Sequence, residues 1–127
     1  EACPDGWHLP ADDEWKSLEK YLGMSTAEAD KIHWRFSGNV GTQLKSSLGW
    51  PIEAQAGHSS LFRALPGGAY SVNGGFSTIG DFANFWSSTS DTSPLAWGRG
   101  LQANLGGVNR FNWDQGFGLS VRCIKDN

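Results

Sequence analysis

Long apolar runs are missing from this 127-residue chain. No stretch approaches the roughly 20 residues that a membrane-spanning helix needs, so membrane insertion by this domain is not expected, and the first residues carry no signal-peptide pattern. Runs of lysine and arginine are missing too. Ten basic residues face thirteen acidic ones for a net charge of -3. This speaks against nucleic acid as a partner, because binding there depends on a basic surface that tracks phosphates. Charge of either sign is scarce at 18% of residues, while 13% are aromatic, a balance that excludes a disordered chain, a coiled coil or a long-helix protein. The length suffices for one core and not for two domains of ordinary size, so residues 1–127 are read as a single domain. The chain opens Glu1-Ala2-Cys3 with no initiator methionine, which reads as a domain excised from a larger or processed parent.

Cysteine is limited to Cys3 and Cys123, 120 positions apart. Spacing leaves two alternatives open. A bridge would clamp both ends of the domain and restrict the unfolded chain by about 4 to 5 kcal/mol. Two buried thiols would instead act as small hydrophobes in a reducing compartment.

Residues 1–32 hold eight acids and three lysines, whereas residues 33–127 hold five acids and seven bases. The acidic front is helical in character. Pro10 suits a helix start, Asp12 to Glu14 suit the positive end of the helix dipole, and Trp15, Leu18 and Leu22 recur at i, i+3 and i+7 until Gly23 stops the pattern. Ser25 with Glu28 matches a capping box and predicts a second, shorter helix from about Thr26 to His33. Beyond Phe36 the chain turns to short apolar segments divided by Gly, Asn, Ser and Pro, and eleven of the 17 glycines fall at or after Gly67. Strand-sized pieces are Ala69 to Val72, Asn84 to Ser88, Ala96 to Gln102, Val108 to Trp113 and Leu119 to Ile124. Two helices followed by a string of short strands predict an α+β domain. Alternation places Trp97, Arg99 and Leu101 on one face opposite Gly98, Gly100 and Gln102, and sets Val108 and Arg110 against Asn109 and Phe111.

Several spaced motifs occur in one order: Cys3-Pro4-Asp5-Gly6-Trp7-His8-Leu9-Pro10 with Glu14-Trp15, Gly41-Thr42-Gln43-Leu44-Lys45-Ser46, Gly49-Trp50, Phe62-Arg63-Ala64-Leu65-Pro66-Gly67-Gly68, Phe85-Trp86-Ser87-Ser88-Thr89, Ala96-Trp97 and Ser120-Val121-Arg122-Cys123. From Cys3 to Asp126 the chain closely resembles the Fibrobacter succinogenes major paralogous domain. That family looks like a branch of the C-type-lectin-like architecture shared with formylglycine-generating enzymes, whose Leu-Pro-x-x-x-Glu-Trp helix start is similar to Leu9 through Trp15. The resemblance implies two N-terminal helices, a mostly antiparallel set of short strands with Gly-rich loops, and a bacterial cell-surface, extracellular or phage-particle setting. It also implies that the termini meet and that Cys3 and Cys123 are bridged.

Catalysis is not expected. Formylglycine-generating enzymes use reactive cysteines, and here both cysteines go to the terminal clamp. His8, His33 and His58, the last followed by Ser59 and Ser60, lack a nucleophile elbow or a metal-spaced partner and read as surface or turn histidines. Asp12, Asp13 and Glu14 are explained by their place at a helix start. Lectins of this broad fold often bind calcium through Trp-Asn-Asp and Glu-Pro-Asn. Here Asn112-Trp113-Asp114 has another order and Glu-Pro-Asn is absent, while calcium needs about six to eight oxygen ligands. No metal and no organic cofactor are therefore expected, and a calcium-dependent carbohydrate-binding lectin is an alternative.

Recognition without metal is the favoured function. Residues Asn109 through Gln115 mix rings and amides between glycines, the composition binding surfaces use. From Trp86 to Cys123 the chain is also similar to the variable region of retroelement-diversified proteins, in which a lectin-like frame holds while solvent-facing positions change. That likeness implies a frame of Trp86, Ser87, Ser88, Ala96, Trp97, Arg99, Leu101, Val108, Arg110, Ser120, Val121, Arg122 and Cys123. The positions it leaves on display are Gly98, Gly100, Gln102, Asn104, Asn109, Phe111, Asn112, Trp113, Asp114 and Gln115, with Gly98 and Gly100 thinning the contact surface. The ligand set is thus Gln102, Asn104, Asn109, Phe111, Asn112, Trp113, Asp114 and Gln115, for an unknown protein or glycan partner. A structural module decorating a larger surface protein is the other alternative. Trp7, Trp15, Trp50, Trp86 and Trp97 are read as core, and Arg99, Arg110 and Arg122 as making structural contacts with carboxylates or carbonyls.

Overall fold

The computed structural model describes residues 2–52, 54, 56–57 and 59–127. Helix α1 (Asp12–Tyr21) begins after Ala11, whose backbone N–H donates to the Glu14 carboxylate at 3.1 Å. Three acids fill its first turn and Lys20 its last. Gly23, at φ +117, takes the conformation that L-residues avoid, and the N–H groups of Leu22, Gly23 and Met24 close the last turn on Leu18, Lys20 and Glu19. Trp15 is 3% exposed, and Leu18 and Leu22 pack beside it against the core of Met24, Val40, Leu44, Ala83, Phe85, Leu101 and Val108.

Helix α2 (Thr26–Ala29) is shorter than the stretch to His33 that the sequence suggests. Ser25 does cap it, its hydroxyl accepting from the Glu28 N–H at 3.2 Å, but the Glu28 carboxylate turns away to accept from the N–H groups of Phe36 and Ser37. His33 leaves the helix because it starts β2 (His33–Arg35), which pairs with a distant strand and carries Arg35 inward. A 3-10 turn at Ser37–Asn39 leads into α3 (Val40–Leu44).

The main sheet is antiparallel, with strands in the order β2, β7 (Val108–Asp114), β6 (Leu95–Gln102) and β5 (Phe82–Ser90). Two small ribbons complete the α+β fold: β3 (Ala69–Tyr70) with β4 (Phe76–Ser77), and β1 (Trp7–His8) with β8 (Ile124–Lys125). The expected strand Leu119 to Ile124 contracts to β8, with Ser120 making an isolated bridge to Phe85. The terminal ribbon brings Cys3 and Cys123 together as a disulfide with Cα atoms 5.8 Å apart. A disulfide fits a non-cytoplasmic location. No described helix is long and apolar enough to cross a membrane. Trp7 departs from its expected core position and is 45% exposed. The two-residue terminal ribbon covers neither face: the His8 side chain beside Trp7 is 42% exposed as well.

Charge fixes α1 to the sheet. Arg35, Arg110 and Arg99 sit on three neighbouring strands, all buried, and meet two carboxylates, Asp12 and Glu19, about two turns apart on one face of α1. Arg35 Nη1 donates to Glu19 Oε1 at 3.1 Å and Nη2 to Oε2. Arg99 spans both acids, with Nη1 on Asp12 Oδ1 at 2.6 Å and Nε on Glu19 Oε2 at 3.0 Å, and Arg110 Nη2 holds Asp12 Oδ2 at 2.8 Å. Burial alone pushes the Asp12 carboxyl up, but hydrogen bonds from Arg110 and Arg99 outweigh it and hold the group well below the usual carboxylate range. Asp12 therefore does more than complement the helix dipole.

Candidate recognition surface

Strand β7 carries most of the residues with a binding composition, and its neighbours decide which of them face out. Phe111 lies opposite Gly98 in register and is 3% exposed, so it is not displayed. Its ring fills the space that Gly98 and Gly100 leave open: a Cβ on Gly98 would stand 2.5 Å from Phe111 Cε2. These two glycines are buried beneath the ring rather than thinning an exposed surface. Trp113 stacks on Phe111 with centroids 4.1 Å apart and touches Phe117 at 5.3 Å, remaining half-buried. Trp86 closes the cluster from β5 by donating its indole N–H to the Phe117 carbonyl at 3.2 Å.

The other candidates divide between the two ends of β7, about 20 Å apart at about 3.4 Å per residue. Gln102 is half-buried at the end of β6, and Asn104 is exposed in the turn that follows. Lys45 secures that turn from below: its buried ammonium donates to the carbonyls of Leu105 at 2.7 Å and Ala103 at 3.3 Å, and burial pushes it down to about 8. Asn109 is half-buried between the ends, and its side-chain oxygen has no hydrogen-bond partner among the described residues. At the far end Asn112 donates to Asp91 Oδ2 at 2.6 Å, Asp114 and Gln115 are exposed, and Asp114 Oδ1 accepts from the Gly116 N–H at 2.7 Å. By strand alternation Asn112 and Asp114 face away from Phe111 and Trp113. The eight residues therefore do not form one continuous patch.

The β3–β4 hairpin adds rings that the sequence reading did not place in the surface. Tyr70 exchanges backbone hydrogen bonds with Gly118 at 2.8 Å in both directions, which docks the hairpin on the segment after β7. Phe76 is 74% exposed and meets Tyr70, 42% exposed, edge to face at 4.9 Å. Beside them opens a cleft of about 340 Å³ floored by Gly67, Gly68 and Gly118 and bounded by Leu119 and Ser120. The signal was present in Tyr70 and Phe76, which flank the Asn73-Gly74-Gly75 turn, but long-range pairing with Gly118 is what joins them to the C-terminal segment.

The histidines are placed as follows. His8 Nδ1 sits 2.6 Å from Asp126 and Nε2 3.0 Å from Glu14, ties that raise its proton affinity. His33 is exposed at the start of β2. His58 lies outside the described residues. Among the described residues no group of three or more His, Cys, Asp or Glu is arranged to hold a metal ion. Arg99 and Arg110 reach carboxylates as the strand pattern suggests, and Arg122 reaches the Phe62 carbonyl at 2.7 Å. Of the tryptophans read as core, Trp15 is fully buried, and Trp50, Trp86 and Trp97 are half-buried.

Comparison at the level of families matches residues 1–125 to the Fibrobacter succinogenes major domain. No curated protein and no solved structure matches the chain.

Proposed function

Since the chain belongs to the Fibrobacter succinogenes major domain family, we propose that it is a non-catalytic recognition module of C-type-lectin-like architecture. It is displayed on a bacterial surface, outside the cell or on a phage particle, and binds a protein or glycan. The binding face is the 113–118 segment together with the β3–β4 hairpin: Trp113, Asp114 and Gln115 from the first, Tyr70 and Phe76 from the second. One observation carries the reading. Tyr70 and Phe76 stand exposed and in mutual contact beside a cleft with a glycine floor, hydrogen-bonded to the segment whose amides and carboxylate face solvent. Rigid rings give contact area at little entropic cost, and a floor without side chains lets a ligand approach the backbone. Asn104 and Gln102 at the other end of β7 form a separate edge, available to a large protein ligand but out of reach of a small glycan. Position changes at the exposed sites would leave the Phe111, Gly98 and Gly100 packing intact, the arrangement a diversified receptor needs.

The test is an array of glycans and of surface proteins probed with wild type and with Tyr70→Ala/Phe76→Ala. Both rings are substantially exposed, so the variant keeps its melting temperature to within the shift of about 1 kcal/mol that surface changes make. Loss of the wild-type array signals supports the assignment. A variant that folds and binds like wild type makes the hairpin display without recognition and favours the decorative module.

A further inference from the structure

Three buried arginines of this protein have carboxylates; a fourth arginine does not. Arg122 is half-buried, and its contacts are one carbonyl and one ring: Nη1 donates to the Phe62 oxygen at 2.7 Å, and the guanidinium lies over the Phe62 ring with 4.3 Å to its centroid. Among the described residues no carboxylate comes within 4.0 Å of it, in contrast to Arg35, Arg99 and Arg110. Desolvation lowers its proton affinity, as expected for a cation moved partly out of water without a counter-ion.

Arg122 stands on the rim of a cavity of about 330 Å³ between α1, Phe62 and β8. The walls are Trp15, Leu18, Phe62, Ile124 and Pro10, with Ser17 and Glu14 at the edge. Among the described residues Glu14 is the one acid there. Its carboxylate is already held by His8 at 3.0 Å and by the Ala11 N–H, so it is partly neutralised. Phe62 is fixed between Trp15 and Phe85, with centroids 5.6 Å from each. The residues on either side of it, Leu61 and Arg63, adopt left-handed backbone angles of φ 62 and 57. That conformation is uncommon for such residues and is held here by the surrounding structure, a pattern found at ligand sites. An apolar cavity of this size with a single unpaired cation is the composition of a small-molecule site, in which apolar walls supply affinity and one charged group sets orientation.

We propose that this cavity binds an apolar organic carboxylate of about one ring in size, its ring between Trp15, Leu18, Phe62 and Ile124 and its anion on Arg122. Guanidinium presents parallel N–H donors that match a carboxylate, and one edge of Arg122 remains after the Phe62 carbonyl is served. The site is separate from the hairpin and the 113–118 segment, so neither assignment depends on the other.

The probes are 3-phenylpropionate and its neutral counterpart 3-phenylpropanol, titrated by protein NMR up to about 10 mM, which covers the millimolar affinities open to single-ring ligands. The carboxylate is expected to shift the signals of Leu18, Phe62 and Ile124 and to bind at least tenfold more tightly than the alcohol. Arg122→Gln should remove that preference while the alcohol binds as before. Arg122→Lys should restore part of it. If Arg122→Gln does not fold, the wild-type comparison of acid and alcohol decides alone. Equal binding of the two probes, no shift with either, or shifts confined to other residues would overturn the proposal.

Discussion

Phe111 and Trp113 lie two residues apart on one strand face, and their surroundings differ. Phe111 is buried in the gap above Gly98 and Gly100, while Trp113 covers it and keeps an edge to solvent. Alternation along β7 was legible in the sequence and put the two rings together. It could not say whether that face was open, because the answer depends on Gly98 lying opposite Phe111, a pairing set by register. Removing the ring leaves a cavity, so Phe111→Ala should lower stability by about 3 to 5 kcal/mol. Urea denaturation measures this, and a loss below about 1 kcal/mol would mean that the ring is not part of the packing. Exposed Phe76 was missed for the complementary reason: a hairpin turn is visible in Asn73-Gly74-Gly75, but nothing local shows that the hairpin docks on Gly118.

At the scale of elements, α1 is joined to the sheet by ions as much as by apolar contact. Its apolar stripe of Trp15, Leu18 and Leu22 could be read from spacing, whereas no local signal marked Glu19, which is fully buried between Arg35 and Arg99. Glu19→Gln leaves both cations short of their counter-charge in a dry setting and should cost about 3 to 5 kcal/mol. Asp12, held low by Arg110 and Arg99 against the cost of burial, contributes stability above the unfolded carboxylate range near 3.8 that is lost only as pH falls through its depressed value. The terminal ribbon responds in the opposite direction. His8 is raised by hydrogen bonds to Glu14 and Asp126, so its contribution is complete below its ordinary value of 6.5 and disappears as pH rises through the raised one. Glu14, lowered by the His8 hydrogen bond, contributes above 4.5 and loses its share as pH falls. The melting-temperature gap between wild type and His8→Gln should therefore be larger near pH 5.5 than near pH 8.5. A gap that stays constant or grows with pH would contradict the His8 contacts.

Across the whole molecule the disulfide closes nearly the entire chain, with Cys3 and Cys123 120 positions apart. By loop entropy the bridge restricts the unfolded state by about 4 to 5 kcal/mol. Cys3→Ser/Cys123→Ser should accordingly melt on the order of 10 to 20 °C lower, measured by calorimetry against wild type. The α+β class and the helix-then-strand order were legible because glycine and turn signals mark them locally. The bridge entered with the family likeness, since two cysteines alone left free thiols equally open. The proposed recognition face was only half legible: Trp113 through Gln115 came from composition, while Tyr70 and Phe76 reach that segment through pairings between residues far apart in sequence. The central claim, that these two segments form one binding face, is tested most directly by NMR titration of wild type with whichever array ligand binds most tightly. Shifts should cluster at Tyr70, Phe76 and residues 113–118, leaving the buried row of Arg35, Arg99 and Arg110 unmoved. Shifts centred on Gln102 and Asn104, or on α1, with the hairpin silent would contradict it.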